Sequence, residues 1–125
     1  MLLQPTSPFR DEAHLKQMIQ MKENDPKVDM IVSVKESKDN PYFNLFEEQE
    51  GRLHKSKQGD FLRRQDCPKV YAYNGSIYLF NRSSLEAKQF HEFENVAKFV
   101  MEEEMYNLDI DTPKDWRLAE YLLSH

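Results

Sequence analysis

Glycine is nearly absent from this chain: Gly51, Gly59 and Gly75 are the only ones in 125 residues, where ordinary usage would supply about nine. Walker A and dinucleotide loops need several closely spaced glycines so that backbone amides can approach phosphate oxygens. No such loop can be written within these residues, so if the chain handles a nucleotide the usual loop lies elsewhere or is missing. The rest of the composition describes one domain with a core. Hydrophobic residues at 39% and aromatics at 12% suffice for packing, and 31% charged residues demand a wetted exterior. With 17 Lys and Arg against 22 Asp and Glu, the net charge of −5 argues against nucleic acid as a partner. No apolar run reaches the ~20 residues a membrane span needs, and the opening MLLQPTSPFR lacks a signal-peptide core. Cys67 is the single cysteine, consistent with a reducing compartment. The expected location is the cytoplasm.

Leu2-Leu3 followed by Gln4-Pro5-Thr6-Ser7-Pro8 reads as the end of a buried strand, and a chain that starts there reads as truncated. Beyond Asp11, a suitable N-cap, the apolar residues Leu15, Met18 and Ile19 fall at i, i+3 and i+4 and predict an amphipathic helix to about Glu23, stopped by Asn24-Asp25-Pro26. The β-branched run at 28–34 predicts a strand covered on both faces, as in a parallel sheet. Strand, helix and strand form a βαβ unit, so the expected class is α/β. Tyr42, Phe43 and Phe46 crowd a short segment, Glu50-Gly51 offers a turn, and 52–57 is polar enough to return as a hairpin. Either its own domain or a second subunit covers those aromatics, and composition leaves both open. Residues 70–80 carry the strongest strand pattern, with Asn74-Gly75 as a hairpin turn or a kink. Ser83 and Glu86 predict a capping box, 96–101 a strand, and Thr112-Pro113-Lys114-Asp115 the start of a last helix with Trp116, Ala119 and Leu123 on one face. There is no internal repeat, and 1–125 reads as a single domain.

Asp109-Ile110-Asp111 precedes that last helix. In extended backbone, residues two apart share a face, so both carboxylates can serve one hard divalent cation; equally, acids are favoured by the dipole of a following helix. Arg63-Arg64-Gln65 forms either a guanidinium clamp for an oxyanion or a solvated surface. Asn74, in an apolar strand, suits a ligand contact or a turn. Gln4, Thr6 and Ser7 follow a strand end, the side on which open parallel sheets bind ligands, or shape a Pro-rich turn. His14, His54, His91 and His125 are scattered without ligand spacing, no acyl-transfer arrangement is visible, and Cys67 reads as an inert thiol.

LLQPTSPFR at 2–10, VSVKESKDNPYF at 32–43, RRQDCPKVYAYNGSIYLF at 63–80 and DIDTPKDWRLAE at 109–120, in that order and spacing, resemble the C-terminal half of the acylneuraminate cytidylyltransferase (CMP-sialic acid synthetase) family. The resemblance implies an α/β fold: part of a nucleotide-diphospho-sugar transferase-like (Rossmann-like) sheet with helices, and a protruding β-hairpin arm at 40–68 through which the protein forms a homodimer. It implies formation of CMP-sialic acid and pyrophosphate from CTP and sialic acid or a related nine-carbon acidic sugar, with Mg²⁺. Asp109 and Asp111 match the catalytic, metal-binding acids. Gln4 matches a glutamine of the sugar pocket, Arg64 an arginine reaching the sugar carboxylate from the neighbouring subunit, Asn74 and Tyr78 pocket positions, and Phe93 an aromatic against the sugar. Ala72 stands where some relatives carry an arginine, and Glu92 where some have a second aromatic. The family's IPARxGSK-type triphosphate loop is not found in these residues. Two readings follow: the sugar-binding half of the enzyme, or a truncated, non-catalytic module that dimerises and binds an acidic sugar.

Overall fold

The amphipathic stretch after Asp11 folds as helix α1 (Glu12–Asn24) in the computed structural model, which describes residues 1–125. Asp11 caps it in extended conformation, and its N–H donates to Nδ1 of His14 at 3.0 Å. Met18 is fully buried, with Leu15 and Met21 packed beside it, whereas Ile19 of the same predicted face stays exposed. The backbone divides into two compact units, Met1–Lys35 with Tyr73–His125, and Glu36–Ala72.

The first unit carries a four-stranded mixed sheet in the order β1-β5-β2-β6, built from β1 (Leu2–Leu3), β2 (Met30–Glu36), β5 (Tyr71–Phe80) and β6 (Val96–Val100). β2 runs parallel to β6, Met30 opposite Val96 and Val34 opposite Val100. Its alternate residues enter two cores: Ile31 joins Met18, Val28, Ile77 and Met101, while Met30, Val32 and Val34 join Phe93. A strand buried on both faces has no polar side, which is why its sequence reads as a continuous apolar run. β5 is one strand kinked at Gly75 (φ 72°), not a hairpin. The α/β class holds, but the simple βαβ order does not: β1 pairs antiparallel with β5, Leu2 opposite Tyr78 and Leu3 opposite Ile77, so β5 stands between β1 and β2. Helix α1 lies over Ile31 and Ile77 together, so it covers two strands at once.

Helix α2 (Arg82–Ala87) has Asn81 at its N-cap, two residues before the predicted cap Ser83. The cause is buried Asp29: its C=O accepts the Asn81 N–H at 2.8 Å, and its carboxylate accepts the Ser84 hydroxyl. Helix α3 (Pro113–Ser124) starts as predicted, with Asp115 N–H donating to Thr112 Oγ1 and Thr112 N–H to Asp115 Oδ2. Of its expected face only Ala119 is buried; Trp116 and Leu123 are exposed. No helix is long and apolar enough to cross a membrane.

The second unit contains the predicted hairpin, β3 (Phe46–Gln49) and β4 (Arg52–Lys55), with Gln49 opposite Arg52. Glu50 (φ 52°) and Gly51 (φ 75°) both take positive φ, which a two-residue turn of the primed type requires. Buried Asn40 organises the base: its side chain donates to Pro68 C=O and accepts from Tyr42 N–H, both at 2.9 Å.

Candidate functional site

The loop after β1 is held by one cation. The Arg10 guanidinium donates to the carbonyls of Ser76 and Gln4, both at 2.9 Å, and partial burial lowers its pKa. Gln4 N–H donates in turn to Ser76 C=O at 3.3 Å. This fastens the loop to the kink of β5, where a Cβ on Gly75 would lie 3.5 Å from Gln4 Oε1 and 4.0 Å from Ser7 Oγ. The side-chain amide of Gln4 makes no hydrogen bond within the chain, and it is half-buried. The hydroxyls of Ser7 and Ser76 beside it are buried and have no protein partner.

Asn74 is the opposite case, because all four of its hydrogen-bonding positions are occupied by protein. Its Oδ1 accepts from the Ser33 hydroxyl at 2.6 Å and from Ser76 N–H at 3.1 Å. Its Nδ2 donates to Asn107 Oδ1 at 2.9 Å and to Met101 Sδ at 3.3 Å.

On the other side of the same loop, Ile110 N–H donates to Thr6 C=O at 2.8 Å, which places the Asp109-Ile110-Asp111 segment against residues 4–7. Asp109 and Asp111 are exposed and their carboxylates have no partner in the chain. The acid that caps α3 is Asp115, held below its ordinary range by the Thr112 hydroxyl first and then by the N–H groups of Asp111 and Thr112. Asp111 lines a shallow groove with Ile110, Trp116 and Arg117. No group of three or more His, Cys, Asp or Glu side chains could hold a metal alone. Two unpaired carboxylates do match Mg²⁺, which takes one or two from protein and leaves its other positions to water and substrate phosphates.

Tyr78 is half-buried, with its ring stacked 6.2 Å from that of Phe80 and edge-on to Tyr73 at 6.3 Å. Phe93 is buried against Met30, Val32 and Val34. Arg64 belongs to the second unit, where it opens a short 3-10 turn (Arg64–Asp66), is exposed, and has no ionic partner; Arg63 instead binds Asp66 at 3.0 Å. With Gln65, Lys69, Asn40 and Phe43 it lines a groove within that unit. Cys67 is buried there, its Sγ 3.6 Å from Arg63 C=O.

Sequence comparison bears on this arrangement. A CMP-N,N'-diacetyllegionaminic acid synthase of Campylobacter jejuni is 39% identical over 94 residues, 75% of this chain and 40% of the relative. The protein of the same name from Legionella pneumophila is 31% identical over 126 residues, 98% of this chain and 53% of the relative. An N-acylneuraminate cytidylyltransferase of Streptococcus agalactiae is 30% identical over 117 residues, 92% of this chain and 28% of the relative. The chain belongs to the acylneuraminate cytidylyltransferase family. It spans about half the length, or less, of the curated relatives it matches. No family model matches it.

Of the positions this family would use, the first unit joins the loop carrying Gln4 to the Asp109–Asp111 segment and to the kink beside Asn74, packs Tyr78 and Phe93 together against Met30, Val32 and Val34, and leaves Arg64 to the second unit. Sequence reasoning did not single out Arg10, Ser33, Ser76 or Asn107. A hydroxyl inside the apolar run VDMIVSV was the available signal for Ser33. Asn107 carries no local signal, because its partners lie up to 33 residues away in sequence.

Proposed function

We propose that these residues supply the acidic-sugar and metal side of a cytidylyl transfer, in which CTP and an acylneuraminate or related nine-carbon acid yield CMP-sugar and pyrophosphate. The anomeric hydroxyl oxygen forms a bond to the α-phosphorus, the bond to the β-phosphate oxygen breaks, pyrophosphate leaves, and the hydroxyl proton passes to solvent. Such transfers depend on positioning and neutralisation of charge. Asp109 and Asp111 would hold Mg²⁺, which supplies charge neutralisation at the phosphates. The observation that supports the reading is the junction of the residue 4–7 loop with both Gly75-Ser76 and Ile110, which joins the loop carrying the free Gln4 amide to the segment carrying two unpaired carboxylates. Gln4 and Tyr78 meet the sugar, Asn74 and Phe93 shape the wall from within, and Arg64 binds the carboxylate from a second copy.

In this reading the sheet is part of a nucleotide-diphospho-sugar transferase-like (Rossmann-like) fold, the 40–68 arm joins two chains, and the protein works in the cytoplasm. The triphosphate cradle is not among these residues, since their three glycines are far apart. The exposed apolar residues of the hairpin, Phe46 and Leu53, support a second reading, a non-catalytic module that binds the sugar and dimerises. Titration of ¹⁵N-labelled chain with millimolar N-acetylneuraminate tests what both readings share. The Gln4 side-chain amide is expected to shift, and Gln4→Ala to weaken binding while the core resonances stay in place. Identical titrations of the two proteins would remove the sugar site.

A further inference from the structure

Between β6 and helix α3 the chain has little regular structure except a 3-10 turn, Glu104–Asn107, that ends two residues before Asp109. That turn is tied to the centre of the sheet by an unbroken line of side-chain hydrogen bonds. Ile77 N–H donates to the fully buried Ser33 hydroxyl at 2.8 Å, Ser33 donates to Asn74, and Asn74 donates to Asn107 Oδ1. Asn107 then uses its own amide hydrogens to hold the carbonyls of Met101 at 3.1 Å and Glu103 at 3.2 Å, the residues that lead into the turn. Downstream, Ile110 N–H is fixed on Thr6. Asp109 is therefore suspended between two anchors while making no side-chain hydrogen bond of its own.

We infer that Asn107 is a positioning residue for the acidic pair: through Asn74 and Ser33 it transmits the rigidity of the sheet to the backbone of Asp109. The inference rests on the reading that Asp109 and Asp111 take a divalent cation. A carboxylate held by backbone anchors alone loses less conformational freedom on binding a cation than one on a loose loop, so the cation binds more tightly. The same line of bonds gives Asn74 its role. An asparagine with every position engaged serves as a connector, and substitution there acts on the metal segment as well as on the sugar wall.

Mn²⁺ substitutes for Mg²⁺ as a paramagnetic probe, and its binding is read from broadening of the Asp109, Ile110 and Asp111 amide resonances in the ¹⁵N-labelled chain. Asp109→Asn is expected to abolish the local broadening. Asn107→Ala is expected to weaken Mn²⁺ binding about tenfold, the low end for removal of groups that orient metal ligands, while sheet resonances stay in place. Asp29→Asn destabilises the fold at a distant point and is expected to leave Mn²⁺ affinity unchanged, which separates positioning from general loss of stability. Should Asn107→Ala fail to fold, Asn107→Gln keeps the same groups one methylene too far out and is expected to weaken binding in the same sense. Wild-type affinity in whichever Asn107 variant folds, or equal weakening in Asp29→Asn, overturns the inference. Indistinguishable broadening in wild type and Asp109→Asn instead removes the metal reading on which it stands.

Discussion

Gly75 shows how one residue without a side chain shapes the candidate site. At φ 72° it turns β5 so that Asn74 enters the protein network while the neighbouring backbone receives Gln4 and Arg10. An added Cβ would meet Gln4 Oε1 at 3.5 Å, ordinary contact distance, so crowding is not the obstacle. The left-handed backbone is, at about 1–2 kcal/mol for a residue with a Cβ. Gly75→Ala is therefore expected to lower the melting temperature by several degrees and to shift the Gln4 amide resonance; calorimetry showing wild-type stability would mean the kink relaxes freely. The chemistry-bearing residues Gln4, Asn74, Asp109 and Asp111 were legible in the sequence as residue types in suggestive places. Which of them faces inward was not, because that depends on partners such as Ser33, Met101 and Asn107, distant in sequence and close only in the fold.

Local rules carried the elements well where the deciding interactions are local. Helix α3 begins at Thr112 with Pro113 at its first position and Asp115 closing the capping box, all within four residues. The start of α2 was misplaced because Asp29, more than fifty residues away, captures Ser84 and the Asn81 backbone. The hairpin of the second unit was legible from its Glu50-Gly51 turn, but its apolar residues remain bare: Leu53 is 70% exposed and Phe46 47%. Covering them in a second copy is the simplest use for such a patch. Light scattering on the wild-type chain is expected to give a dimer mass, and Leu53→Asp, a change at an exposed site that leaves the fold intact, a monomer. Equal masses for the two would rule out the hairpin as the contact.

Taken as a whole, the molecule's stability should depend on pH through three groups. Asp29 is held below the ordinary carboxylate range by the Ser84 hydroxyl first, then by the Asn95 N–H, and Asp115 is lowered chiefly by Thr112. A carboxyl whose folded pKa is depressed stabilises the fold above its unfolded pKa of about 4, and that contribution is lost as pH falls further toward the folded value. Tyr106 has the opposite sign: its hydroxyl donates to Asp11 at 2.6 Å, which pushes its pKa up to about 12. Its contribution persists below the unfolded value of about 10 and is lost as pH rises through the folded one. Urea unfolding of Ser84→Ala beside wild type should show a gap that is full at neutral pH and narrows below about pH 4. A gap constant across that range would mean the Asp29 network does not titrate as described.

The claim on which the functional account depends is that this chain carries the sugar and metal side of a cytidylyltransferase. Its most direct test is a chimera in which the chain replaces the matched 53% of the Legionella pneumophila relative and the rest of that protein is retained. Release of pyrophosphate from CTP is then measured with N-acetylneuraminate or a legionaminic acid in the presence of Mg²⁺. The account predicts sugar-dependent release that Asp111→Asn abolishes. A folded, CTP-binding chimera that releases none, or one whose release survives Asp111→Asn unchanged, would contradict it.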